Sequence, residues 1–382
     1  MRKAVVLALI AVVAPELGAA VVPPRTLDGF GLTSPVGLRS APSAALVIQS
    51  APSAATRGEW TADTRNTWTD NDGEARIQFN LRTSAGDSRW GFGVRLRDLS
   101  GLPPAAIANM ANDVQFSWRR EAGTFRFNGS FDQGRGSGTY DFTADQTFVA
   151  NMAGAGYKNL STDDIVRLAV IDVTVAHVRG LAQAGYANLS LDDVVRTRIH
   201  RVTPDFVRDL AAVGYKGIDV DDLIRMAIHG ATPANIKALQ AEGIRGLSVE
   251  ELIKFRIHKV TPEFIKALES RGYKNVAGDD LVKMRIHRVT PEEMDQLKAL
   301  GFGGLDVDTL VKFRIHRVTP DYIKQMKDVG FVTVSEDQLV RMRIHRVDAK
   351  FVRDARADGF SIQSPGDAVD LAIHGPRWKR RG

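Results

Sequence analysis

Seven histidines stand 29 residues apart, at His200, His229, His258, His287, His316, His345 and His374. A spacing kept that strictly commits the chain to repeated structure before any other feature is weighed. Glycine keeps the same period at Gly156, Gly185, Gly214, Gly243, Gly272, Gly301, Gly330 and Gly359, and the next residue is Tyr157, Tyr186, Tyr215, Ile244, Tyr273, Phe302, Phe331 and Phe360. Counted from Asp145, eight units of 29 residues end at Pro376.

Each unit carries start and stop signals for two helices. In the third unit Thr203 offers an N-cap oxygen, Pro204 fills the first helical position where no donor is needed, and Asp205 faces the positive end of the dipole. This first helix, A, runs through Phe206, Val207, Leu210 and Ala211 to Gly214, the residue type that ends a helix in a left-handed conformation at least cost. After a short loop, Asp219 with Asp222 opens helix B, as do Ser161 with Asp164, Ser190 with Asp193 and Ser248 with Glu251. At Ala277 the cap is missing. Two helices this short are marginal alone, so the units must stack into a solenoid. Phe206, Leu210, Tyr215, Ile224 and Ile228 are expected to pack on their counterparts one period away. The pairing of glycine and aromatic reads as a C-cap followed by a plug.

The rest of the chain divides by composition. Met1-Arg2-Lys3, the apolar run Ala4 to Ala14 and Gly18-Ala19-Ala20 read as a signal peptide over residues 1–20, cleaved after Ala20. No second apolar run reaches spanning length. Residues 21–56, rich in Ala, Pro and Ser, read as a linker. Period-two alternation then marks strands: Ile77-Phe79-Leu81, Trp90 to Arg97, Val114 to Arg119, Thr124 to Phe131 and Tyr140-Phe142, with a short helical insertion at Pro103 to Ile107. The run Gly134 to Gly138 lies between two strands and reads as a hairpin turn, not a phosphate loop. The expected fold is α+β and multidomain: a small antiparallel β-sandwich or barrel over residues 57–144, then an α-solenoid of eight two-helix repeats over 145–376, with a basic tail at 377–382.

The chain has no cysteine, which removes disulfides, thiolate metal sites and thiol nucleophiles together. Its formal charge of +6 owes much to Arg377, Lys379, Arg380 and Arg381 in the tail, so no nucleic-acid surface is expected. Helical units stand about 10 Å apart, whereas the ligands of one metal lie about 2 Å from it. The histidine ladder is therefore read as structural, each ring near the end of helix B bonding a terminal carbonyl or a neighbouring unit. Arg256, with Arg198, Arg285, Arg314 and Arg343 at the same place, falls on the apolar side of helix B. The expected account is a ladder of ion pairs between units, to carboxylates such as Asp280 or Glu251; the alternative is a groove of guanidinium groups. Paired acids such as Asp192-Asp193, Asp221-Asp222 and Asp279-Asp280 follow the caps and complement the dipole. No catalytic motif, cofactor site or metal site is expected.

The unit Thr-Pro-Glu-Phe-Ile-Lys-Ala-Leu to Met-Arg-Ile-His-Arg-Val at residues 261–289 resembles repeats found C-terminal to the membrane peptidase in some bacterial sensors of the BlaR1/MecR1 family. The resemblance covers about residues 110–376 and implies an extracytoplasmic accessory module without the peptidase. The expected function is that of a periplasmic or secreted, non-enzymatic scaffold binding a protein or peptide of the cell envelope, without nucleic acid. Arg225, Lys254, Lys283, Lys312 and Arg341, on the exposed face of helix B, are the candidate contact residues. The array itself is defined by its histidines and by Gly214, Gly243, Gly272, Gly301 and Gly330. The alternative is a glycan-binding protein in which Trp60, Trp68, Trp90, Trp118 and Tyr140 supply stacking surfaces. An enzyme would need a cleft between the β domain and the first unit.

Overall fold

A computed structural model describes residues 56–69, 75–83, 89–108 and 110–375. The signal-peptide region, the linker as far as residue 55 and the basic tail lie outside them. Seven antiparallel strands, β1 (Thr56–Thr69), β2 (Ala75–Thr83), β3 (Arg89–Arg95), β4 (Leu99–Ser100), β5 (Ala111–Arg120), β6 (Gly123–Asp132) and β7 (Arg135–Ala144), form one curled sheet, a half-barrel ordered β3-β2-β1-β7-β6-β5-β4. A short helix, α1 (Pro104–Ala108), fills the connection from β4 to β5 where the sequence pointed to one.

Alternation puts one face of each strand inside. On β5, Val114, Phe116 and Trp118 are buried, and Phe116 and Trp118 pair in register with Phe127 and Phe125 of β6. Those in turn pair with Tyr140 and Phe142 of β7, so rings stack across three strands. The turn between β6 and β7 is only Gln133-Gly134, both at positive φ, as the tight hairpin turn requires. Gly136 and Gly138 are therefore strand residues rather than part of a longer loop. A Cβ on Gly136 would stand 2.7 Å from the Trp60 ring, which explains glycine there.

Sixteen helices follow in eight AB pairs, from Gln146–Gly154 and Thr162–Ile171 in unit 1 to Ala349–Ala357 and Pro365–His374 in unit 8. Among the described residues A helices pack on A helices of the next unit and B helices on B helices, so the solenoid has two layers. Helix A of every unit is capped by a side-chain oxygen, from Asp145, six threonines between Thr174 and Thr319, and Asp348. Helix B is capped in every unit but the fifth, where Ala277 has no side chain to offer. Each cap contributes about 1 kcal/mol and fixes register more than it holds units together.

The core runs without a break from Leu181 to Leu371. Leu210 and Ile224 belong to it, and Phe206 and Tyr215 pack against it half-buried. Ile228 does not: it is 54 % exposed, on the outer side of a last turn whose Met226 is fully buried. At the other end, helix B of unit 1 packs on β3, β6 and β7, and Phe148, Met152, Ile165 and Val166 share one core with the sheet. The half-barrel thus covers the apolar end that an isolated solenoid leaves open.

Candidate functional site

Both helices of a unit end in the same way, with a left-handed residue and a hydrogen bond from the next N–H back to the carbonyl five residues earlier, as in Tyr215 to Leu210 and Val260 to Phe255. Their geometries differ in one respect. The helix A glycines have φ between +80° and +106°, beyond the left-handed well open to side-chain-bearing residues, whereas the helix B position sits at +55° to +70°, inside it. Hence glycine is obligatory after helix A, although a Cβ on Gly156, Gly185, Gly214, Gly243, Gly272, Gly301 or Gly330 would meet nothing within 4 Å. After helix B glycine is optional. Gly230 takes the position in unit 3, but Arg201, Lys259, Arg288, Arg317 and Arg346 take it in five other units.

That choice has an energetic cost. A left-handed residue with a side chain gives up about 1–2 kcal/mol, while a cation beside an exposed helix C-terminus recovers about 0.3–1 kcal/mol. None of the five makes an ion pair or a side-chain hydrogen bond with another described residue. Their neighbours are equally outward. Ile199, Ile228, Ile257, Ile286, Ile315, Ile344 and Ile373, each one residue before a ladder histidine, are between 45 % and 54 % exposed. Isoleucine, histidine and, in five units, an exposed arginine or lysine therefore repeat along one edge of the array. The isoleucine row was visible in the sequence as the same 29-residue period; its exposure was not.

The histidine rings make no hydrogen bond to another described residue, contrary to the expectation that they tie units together. Their main-chain carbonyls do that. Arg256, Arg285, Arg314 and Arg343 send Nε across to the carbonyl oxygens of His229, His258, His287 and His316 in the preceding unit, at 3.4, 3.3, 3.1 and 3.2 Å. The arginine ladder between units is real, but its common acceptor is the negative end of the neighbouring helix B and not Asp280 or Glu251. Glu251 is held by its own cap at Ser248. A spare nitrogen of Arg314 reaches Glu293 at 3.1 Å, and Arg198 reaches both the carbonyl and the carboxylate of Asp172.

Carboxylate pairing occurs instead on the row selected as contact residues. Arg225 bonds Glu250 of the next unit at 2.6 Å, Lys283 bonds Asp308 and Arg341 stands 3.9 Å from Asp370; Arg196 and Asp221 repeat the pattern at 2.7 Å. Lys254 and Lys312 occupy the same register without such a pair among the described residues. Tyrosine after the glycine does more than plug: Tyr157, Tyr186, Tyr215 and Tyr273 donate their hydroxyls to the carbonyls of Leu189, Ile218, Leu247 and Leu305, each just ahead of the next helix B cap. Burial raises the proton affinity of these phenols.

Two clefts among the described residues border the sheet. One, of about 620 Å³, lies where the β5–β6 turn meets the first units and is lined by Arg119, Arg120, Glu121, Asp145, Asn151 and Asp172. Arg120 stacks 4.4 Å over the Trp118 ring with one nitrogen 3.5 Å from Asp172; burial lowers its pKa, and its Nε finds no acceptor. Glu121 accepts from the Val175 N–H at 3.3 Å. The cleft's charges join sheet to array. The other, of about 360 Å³, brings half-buried Trp90 beside Glu59, Asn80, Arg82 and Arg89. Trp60, Trp118 and Tyr140 are at most 1 % exposed and offer no stacking surface, because alternation turns them into the core; the Trp68 side chain lies outside the described residues.

Among the described residues no helix is long and apolar enough to cross a membrane, and no group of three or more His, Asp or Glu is placed to hold a metal ion. No protein-family model matches the chain, and no curated protein matches it.

Proposed function

We propose that the chain is an exported, non-enzymatic scaffold, periplasmic or secreted, whose helical array binds a protein or peptide partner in the cell envelope. The observation that carries this reading is the edge of exposed isoleucines. A buried repeat position is explained by packing, but an aliphatic that recurs in seven successive units with about half its surface in water is not explained by the core alone. The contact surface is assigned to that edge rather than to Arg225, Lys283 and Arg341, whose charges are taken up between units. The resemblance to sensor repeats supports an extracytoplasmic setting.

The test compares the full chain with a variant carrying Ile257→Ser, Ile286→Ser and Ile315→Ser. Melting temperature should hold while capture of a defined envelope protein is lost; equal capture by both would sink the assignment. Export is checked by the mass of the mature chain, expected to begin at Val21. A glycan-binding reading survives at Trp90, which stands half-buried in the cleft beside Glu59, Asn80, Arg82 and Arg89. Retention on purified peptidoglycan that Trp90→Ala abolishes would favour it.

A further inference from the structure

The isoleucine edge has neighbours of both signs. Four residues after Arg201, Lys259, Arg288 and Arg317 come Asp205, Glu263, Glu292 and Asp321, at the start of the next helix A, and all eight are exposed. Where the cation is missing, at Gly230, the acid is missing too, at Ala234, while Arg346 is followed four residues on by Lys350. Asp205 and Asp321 also face Arg208 and Lys324 of their own helices. Over units 4 to 6 the apolar, cationic and anionic positions thus share one period.

A partner whose apolar groups repeat at the array's own rise, about 10 Å per helical layer, meets several of these isoleucines in register. This chain is itself such a surface. From this we infer that the edge is the interface of a two-fold dimer, in which the isoleucine rows of units 4 to 6 pack together and the cationic row of each copy faces the acidic row of the other. An isologous arrangement fits because the same patch serves both sides and closes the assembly at two. Charge complementarity chooses the occupant: an anionic lipid surface or an acidic peptide would meet the acidic row with like charge. The inference rests on assigning partner contacts to this edge, and names a second copy as the partner.

The experiment is sedimentation of the full chain over a concentration series reaching about 100 μM, where weak specific association is still populated. A monomer–dimer equilibrium is expected, weakened at least about tenfold by Ile257→Ser with Ile286→Ser and Ile315→Ser at unchanged circular dichroism. Two charge-swapped chains give the sharper readout. One carries Lys259→Glu, Arg288→Glu and Arg317→Glu; the other carries Glu263→Lys, Glu292→Lys and Asp321→Lys. Each should be monomeric alone, and mixing them should restore a dimer of one copy of each. A chain that stays monomeric, a dimer indifferent to the isoleucines, or swapped chains that fail to pair would overturn the inference. A monomer whose capture of an envelope protein still depends on the isoleucines would overturn the dimer alone. A dimer whose capture ignores them would overturn only the proposed contact surface.

Discussion

Lowering the pH from 7 to 4 should loosen the second unit through one side chain, His177. It stands at the third position of helix A, where other units have Phe148, Phe206, Phe264, Tyr322 and Phe351, and it faces Thr197, where others have Met226, Phe255, Met284, Phe313 and Met342. The pair is buried and closed on itself. Thr197 donates its hydroxyl to the Val194 carbonyl at 2.7 Å, so its oxygen is left to accept from His177 Nε2 at 3.0 Å, which fixes the neutral tautomer. Burial, and then the Arg198 charge, hold the imidazole down to about 4 from its usual 6.5. The unfolded chain therefore takes up the proton first. Stability from this group is intact above pH 6.5 and is lost as pH falls toward 4. At about 1.4 kcal/mol per unit the loss approaches about 3 kcal/mol, a large part of a typical domain's margin. Thermal melts from pH 7 to pH 4 of the natural chain and of His177→Phe with Thr197→Met, which restores the repeat's apolar pair, isolate the effect because all other titrations are shared. If the two chains lose stability in parallel, the burial argument is wrong.

Other consequences follow from the same geometry. Gly230→Ala, at φ +69°, should cost about 1–2 kcal/mol, and Gly214→Ala, at +102°, more, in urea midpoints. Ala277→Ser should raise stability by about 1 kcal/mol by supplying the cap the fifth unit lacks, with Asp280 in position to complete a capping box. Tyr215→Phe should cost about 1 kcal/mol by leaving the Leu247 carbonyl without its donor, and a melt no lower than the natural chain's would show that the bond stabilises nothing. Replacing Arg256, Arg285 and Arg314 together by Met should lower the melting temperature, since three helix-end carbonyls lose their donors; unchanged stability would return these residues to the list of contact candidates.

What a single unit determines was readable from its residues. Thr203-Pro204, Asp219, Gly214 and the gap at Ala277 each act within a few positions, and each does in the structure what its chemistry implies. What lies between units was harder to read. A helical wheel places Arg256 and Ile228 by angle alone, but in a layered array the outcome depends on what the neighbouring unit presents to each side chain. Ile228 is left on the outer side while Met226 is covered, and Arg256 reaches back to the His229 carbonyl of the preceding unit. The same blindness hid Tyr215, whose aromatic body was legible while the carbonyl awaiting its hydroxyl lay in another unit. In the sheet, alternation identified the strands but not which face the curl would enclose, so Trp60 and Trp118 were candidates until the core claimed them. His177 was one histidine among eight until its partner across the unit gave it meaning.

The tyrosine hydroxyls point forward to the following unit and the Nε atoms of Arg256, Arg285, Arg314 and Arg343 point back to the preceding one. The two stitches meet where unit 3 joins unit 4 and where unit 5 joins unit 6, each made by a residue that travels with its own unit. Duplication of the fifth unit, which carries both Tyr273 and Arg285, would create a seam supplied from both sides, so the array could lengthen there by recombination without redesign of the joint.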